Sequence, residues 1–249
     1  MTARRPPPAG WAGRAAWGLA AAVLVALATL AGAPARALTP AEVFARVAPS
    51  VWRVQTFDAD GLMLGQGSAV VVGPGQLVTN CHVLLRARRV QVRHEDRATP
   101  LPARLALWDV HRDLCQLQVA GLDAPAVALA PSAAVVVGQP AYAVGHPKGL
   151  DLTLSDGLVS SLRRNDAQQL LLIQTTAAIS GGNSGGGLFD DGGRLLGLTT
   201  LLLAGADAQA LNFAIPADWI TDLPRRHAAA QAERAAAGAP RAPAASGAR

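Results

Sequence analysis

Between Ser50 and Ile215 short apolar runs rich in Val, Leu and Thr alternate with Gly, Pro, Asn and Asp, and no stretch sustains a helical period. The pattern predicts strands over 50–56, 67–72, 77–79, 90–94, 104–107, 114–119, 141–144, 152–161, 170–174, 188–190, 194–202 and 211–215. Many short strands separated by turns every ~8–12 residues indicate an all-β sandwich or a pair of barrels rather than βαβ units. Helix is expected only at the flanks. Pro40–Val47 is one, with Thr39 placed to cap it and Pro40 in its first turn; 217–223, after Pro216, is the other. Beyond Pro224 the composition collapses to Ala, Arg, Pro and Gly. A polar, Ala-rich helix over 227–237 would have no apolar stripe to dock, so 225–249 reads as a solvated, disordered tail.

Charge changes this picture little. Lys and Arg number 22 against 17 Asp and Glu, a formal net charge of +5. The excess sits at the two ends, with Arg4, Arg5, Arg14 and Arg36 before residue 38 and five arginines from Arg225 onward. The segment 38–224 is mildly acidic, so no nucleic-acid partner is expected. Residues 1–37 read as a secretory signal: a basic start, an Ala/Leu/Val run from Ala15 to Ala33, and the A-x-A site Ala35-Arg36-Ala37. The competing reading is a membrane anchor. The run is Ala-rich and weakly hydrophobic and ends in a cleavage sequence, so removal after Ala37 is expected, giving a periplasmic or secreted bacterial protein without stable membrane association. Pro6-Pro7-Pro8 after Arg4-Arg5 argues for ordinary export over the twin-arginine route.

Candidate chemistry begins with Ser184, inside Ser180-Gly181-Gly182-Asn183-Ser184-Gly185-Gly186-Gly187. Taken alone, this is as well read as a Gly/Ser loop between strands. Flanking glycines would also let the backbone turn sharply and bring amides close to whatever the hydroxyl attacks. Upstream, His82 lies at the end of an apolar strand in Val78-Thr79-Asn80-Cys81-His82-Val83. Asp113 begins another apolar run, although Asp109 would serve as well on position alone. Together a serine, a histidine and an aspartate supply a nucleophile, a general base and a group that orients the base. The order His, Asp, Ser is that of chymotrypsin-like barrels and differs from the subtilisin and α/β-hydrolase orders. His94, His111, His146 and His227 show no metal-ligand spacing, and no metal or other cofactor is expected.

The chain resembles trypsin-like serine proteases of the bacterial Deg/HtrA type. The markers run in order through Gly65-Gln66-Gly67-Ser68-Ala69, Val78-Thr79-Asn80-Cys81-His82-Val83, Arg112-Asp113-Leu114 and Gly145-His146-Pro147-Lys148-Gly149. They continue with Gln174-Thr175-Thr176-Ala177-Ala178-Ile179, Gly182-Asn183-Ser184-Gly185-Gly186 and Asn212-Phe213-Ala214-Ile215-Pro216. The resemblance implies two six-stranded antiparallel β-barrels, at about 45–125 and 135–216 within a protease domain of 38–224, with the active site between them. It assigns His82 as base, Asp113 (over Asp109) as its orienting acid, Ser184 as nucleophile, and the amides of Gly182 and Ser184 as oxyanion donors. It also brings Cys81 and Cys115 to neighbouring strand ends, where a disulfide would pin the His–Asp geometry; two separate thiols are the alternative.

By the same resemblance Ala178 and Ile179 form the base of a specificity pocket and Thr199 and Thr200 its wall. No acid is available there for Arg or Lys, so a small or aliphatic residue before the scissile bond is expected. The implied activity is endopeptidase hydrolysis of protein or peptide substrates through an acyl-enzyme. The alternative is a catalytically silent binding or chaperone-like protein on a protease fold. Three departures stand out. Gly187 occupies a place where the family has proline, which predicts a looser strand entry. Asn183 replaces the acid that pairs with a freed N-terminus in zymogens. No PDZ domain is expected in the stretch that remains.

Overall fold

The computed structural model describes residues 37–200 and 211–238. The expected signal up to Arg36, the end of the 194–202 strand and residues 239–249 lie outside the described residues. The chain from Leu38 onward is one compact unit.

It opens with helix α1 (Pro40–Val47), closed at its start by a reciprocal box in which Thr39 accepts from the Glu42 amide and the Glu42 carboxylate accepts from the Thr39 amide. Strands β1 (Val51–Phe57), β2 (Met63–Gly73), β3 (Gln76–Thr79), β4 (Arg89–Arg93), β5 (Leu101–Asp109) and β6 (Leu114–Val119) close into one barrel. Strands β7 (Pro140–Gly145), β8 (Thr153–Arg164), β9 (Leu170–Thr175), β10 (Gly187–Phe189), β11 (Leu195–Thr200) and β12 (Asn212–Pro216) close into a second. Every pairing in both barrels is antiparallel, as expected for this fold class.

The continuous apolar runs follow from burial on both strand faces. In β2, Ala69 and Val71 fill the first barrel beside Trp52, Leu77 and Leu117, while the alternate residue Val70 faces outward. That outward face packs with Val51, Val78 and Leu114 against Val144, Phe189, Leu195, Leu198 and Ile215 of the second barrel. Val43 and Val47 of α1 join the same cluster. In the second barrel Ala143, Ile173, Leu188 and Leu196 point inward. Burying each such leucine or isoleucine stabilises the fold by roughly 1.5–3 kcal/mol, and the interface cluster fixes the cleft between the barrels.

The end of the chain differs from expectation. Helix α2 (Asp218–Gly238) does not stop at Leu223 but runs through Pro224 into the stretch read as a solvated tail. Ile220 and Leu223 anchor its first half in the core. Beyond the proline it is held by polar contacts to β5, with His227 buried against Trp108 and Arg226 paired with Asp109. An apolar stripe was the wrong docking signal, because side-chain pairs with a distant strand perform that role. Among the described residues, no helix is long and apolar enough to cross a membrane.

Candidate active site

Strand β3 ends at Thr79, whose register partner is Cys115 on β6. The short 3-10 turn Cys81–Leu84 follows and presents His82, while Asp113 immediately precedes β6. The two strand ends are joined by a Cys81–Cys115 disulfide with a Cα separation of 5.0 Å. Asp113 adopts a left-handed conformation (φ 54°, ψ 37°), and its carboxylate receives His82 twice. The His82 backbone amide donates to Oδ1 at 2.9 Å, and His82 Nδ1 lies 2.7 Å from Oδ2. An acceptor at Nδ1 holds the proton there, which leaves Nε2 as the ring's acceptor. Asp109, the positional rival, is buried and faces Arg226 and Arg112 on the other side of the turn.

Ser184 comes from the second barrel, in the loop between β9 and β10, and is 6 % exposed. It lines a cleft of about 370 Å³ with His82, Gly182, Gln66 and Leu64. Among the described residues no hydrogen bond joins the Ser184 hydroxyl to His82, and such bonds commonly tighten only when substrate binds. The loop is held to the first barrel by the Ser68 amide, which donates to the Ser184 carbonyl at 2.8 Å. Gly185 (φ +83°) packs so closely on Ser68 and Thr79 that no side chain fits there.

Within this loop the amides of Asn183, Gly185 and Gly186 donate to Ser180, Thr199 and Asn183 carbonyls. Among the described residues, those of Gly182 and Ser184 donate to no protein acceptor and border the same cleft. Gly182 (φ +97°) is backed by the carbonyl of His146, and the Lys148 amide donates to Gly181 at 2.6 Å. Two unspent amides beside a serine can bind a negatively charged oxygen. Among the described residues, no cluster of three His, Cys, Asp or Glu side chains converges to hold a metal ion.

The trypsin-like peptidase domain model matches residues 67–198 of this chain. The chain belongs to that family. Its domain is of the Deg/HtrA type. Protease Do-like 1 from Arabidopsis thaliana chloroplasts is 38 % identical over 120 residues, covering 45 % of this chain and 26 % of the relative. The periplasmic pH-dependent serine endoprotease DegQ of Escherichia coli K12 is 34 % identical over 165 residues, 64 % of this chain and 36 % of its own. The solved structure of the HtrA-type protease AlgW with a tripeptide superposes with a TM-score of 0.68 at 32 % identity, covering 75 % of this chain and 62 % of that one. The chain thus spans only about a quarter to a third of these two curated relatives.

In this trypsin-like peptidase the residues expected around a specificity pocket are divided. Ala178 is exposed and Ile179 is 9 % exposed. Thr199 is fully buried, and its hydroxyl donates to the Asn183 carbonyl at 2.6 Å, bracing the serine loop. Thr200 sends its hydroxyl to Asp113 Oδ2 at 3.4 Å and borders a second hollow of about 640 Å³ shared with His82, Leu85, Trp108 and Val110. Both threonines thus support the site's polar groups, a role visible only once β11 is laid beside the loop.

Two residues that stood among the resemblance markers with no role assigned prove to support the loop. Ser68 accepts from the His146 amide at 2.9 Å and donates to the Gly182 carbonyl at 2.9 Å, so it ties the first barrel to the loop beside Ser184. His146 is 2 % exposed, with Nδ1 unpartnered. Burial, reinforced by the positive charge of Arg53 and by His94, pushes its pKa down to about 3. Glu95 stands 4.0 Å from Nε2, too far to offset that burial. Gly187 was expected to loosen the strand entry. Instead it is buried and paired with Val144 and Leu198, and the Phe189 ring fills the space where a Cβ would lie.

Proposed function

We propose that this chain is an exported serine endopeptidase that cleaves peptide bonds through an acyl-enzyme. The observation that carries the reading is the His82–Asp113 contact at 2.7 Å on the same cleft as Ser184. In the proposed cycle Ser184 Oγ attacks the scissile carbonyl while His82 Nε2 takes its proton. Asp113 stabilises the imidazolium, and the amides of Gly182 and Ser184 receive the developing oxyanion. His82 then protonates the leaving amine, and water repeats the sequence to release the acid. The names of DegQ and AlgW as proteases support the same reading. Small or aliphatic residues are the proposed preference before the scissile bond, supported by the absence of an acid at Ala178, Ile179, Thr199 and Thr200. The apolar hollow beside His82 adds support for uncharged neighbouring side chains.

Fluorophosphonate labelling tests the nucleophile directly. Wild type is expected to label and Ser184→Ala to remain unlabelled, with peptidase activity lost in parallel. A folded wild type that never labels would make the catalytically silent reading the correct one. Peptide-library profiling of cleavage sites tests the pocket preference, and N-terminal sequencing of mature protein tests removal of residues 1–37.

A further inference from the structure

Asp113 holds an unfavourable backbone conformation for a residue with a side chain, and such a conformation persists only where its surroundings enforce it. On its downstream side the enforcement is local to the barrel. The Cys81–Cys115 disulfide, the Cys81 amide at 3.2 Å and the Asn80 side-chain amide at 3.0 Å all hold the Asp113 peptide. On its upstream side is the turn Val110–Arg112, whose outer residues Val110 and His111 are exposed. There the ties come from α2. Arg226 pairs with the buried carboxylate of Asp109. Arg112 donates to Asp222 at 2.8 Å and lies over the Trp219 ring at 4.7 Å. His227 meets Trp108 edge-on at 4.1 Å between ring centres.

We propose that the stretch Trp219–His227 of α2 is a splint for the Asp113–His82 pair, with Arg226 and Arg112 as positioning residues; this rests on the protease reading above. Covering the barrel does not require these ties, because Ile220 and Leu223 already seat the helix in the core. The polar and ring contacts, from Trp219 and Asp222 beside them and from Arg226 and His227 beyond them, reach residues 108, 109 and 112, all within five positions of the orienting aspartate. Charge-assisted hydrogen bonds suit such a task because their strength depends on geometry. A carboxylate that swings by a fraction of an ångström no longer holds the imidazole in the attacking geometry, and small displacements of this kind cost up to about hundredfold in rate.

The test compares wild type, Arg226→Ala, Arg226→Lys and Asp222→Asn. Each is assayed for kcat and KM on a short peptide and for the far-downfield proton resonance of the His82 Nδ1–Asp113 hydrogen bond. Arg226→Ala is expected to lower kcat by about ten- to hundredfold with KM unchanged and to broaden or remove the resonance. Arg226→Lys should restore most of both. If Arg226→Ala fails to fold, Asp222→Asn, which releases Arg112 at a partly exposed edge, should still lower kcat by about threefold with the same split. A folded variant that keeps kcat within about twofold and an unchanged resonance, whatever its melting temperature, overturns the splint. Fluorophosphonate labelling of wild type reports separately on the protease reading, since the resonance can be followed in an unlabelled protein.

Discussion

Two aspartates stand four positions apart on either side of one turn, and their surroundings give them opposite tasks. Asp113 opens β6 with its carboxylate on His82, whereas Asp109 closes β5 with its carboxylate buried against Arg226. Both precede or end apolar runs, so nothing local in the chain separates them. The Deg/HtrA resemblance favoured Asp113, and the physical difference is the left-handed turn that rotates it toward the other strand end. Asp113→Asn is expected to fold and to lower kcat by about 10⁴-fold, because an amide favours the wrong imidazole tautomer. Steady-state kinetics beside an unchanged circular dichroism spectrum check this, and activity within tenfold of wild type would refute the assigned role. The proposed role of Ser184 rests on the same kind of argument, since it shares a cleft with His82. The glycines alone left the choice between a loop and a nucleophile open, and the partners came from a different barrel.

At the level of elements, the strand pattern was legible because turns and β-branched runs alternate clearly, and the described strands fall where the pattern put them to within a few residues. The larger misses are β2 and β5, which extend beyond the expected runs through Gly65 and Gln66 and through Pro102 and Asp109. Pairing with neighbouring strands supplies hydrogen bonds there irrespective of side-chain polarity. Gly187 shows the complementary failure. A missing proline suggested looseness, yet the aromatic ring of Phe189 occupies the vacated volume, and a local sequence pattern cannot show which neighbour fills a gap. Gly187→Ala should therefore destabilise by about 1–3 kcal/mol through overpacking against Phe189 and Leu195. Thermal melting checks it, and an unchanged or raised midpoint would show that the ring can yield. Helix α2 is a third case. Its stretch after Pro224 carries no stripe, and only the position of β5 reveals what Arg226 and His227 are for.

Across the whole molecule the two barrels meet through polar groups as well as the shared apolar cluster, and His146 couples that junction to pH. It is neutral in the folded protein, with its pKa pushed down to about 3 from the ordinary histidine value of 6.5. Above that ordinary value both folded and unfolded chains carry it uncharged, so its contribution is fully present. As pH falls below about 6.5 the unfolded chain takes up a proton that the native chain refuses, and stability is lost progressively toward pH 3. The loss is up to about 1.4 kcal/mol per pH unit, or roughly 2 kcal/mol by pH 5. Urea unfolding at pH 7 and pH 5 measures it, and His146→Gln should flatten the difference. An equal pH dependence in wild type and variant would assign the effect to other groups.

What the chain alone determined was periodic or composed of few residue types: an all-β domain, the approximate places of its strands, and a histidine, an aspartate and a glycine-wrapped serine in barrel order. These are legible because strand alternation, turn chemistry and nucleophile loops are each encoded within a few consecutive residues. Only the tertiary structure decided what Asp109 pairs with instead, that Thr199, Thr200 and Ser68 brace the site, and that α2 reaches back to the turn beside Asp113. Each of those depends on residues far apart in sequence, from 68 with 182 to 109 with 226, brought together by closure of the barrels and docking of the helix. Such pairings leave no trace in local spacing, because the chain between the partners sets only where its own strands lie.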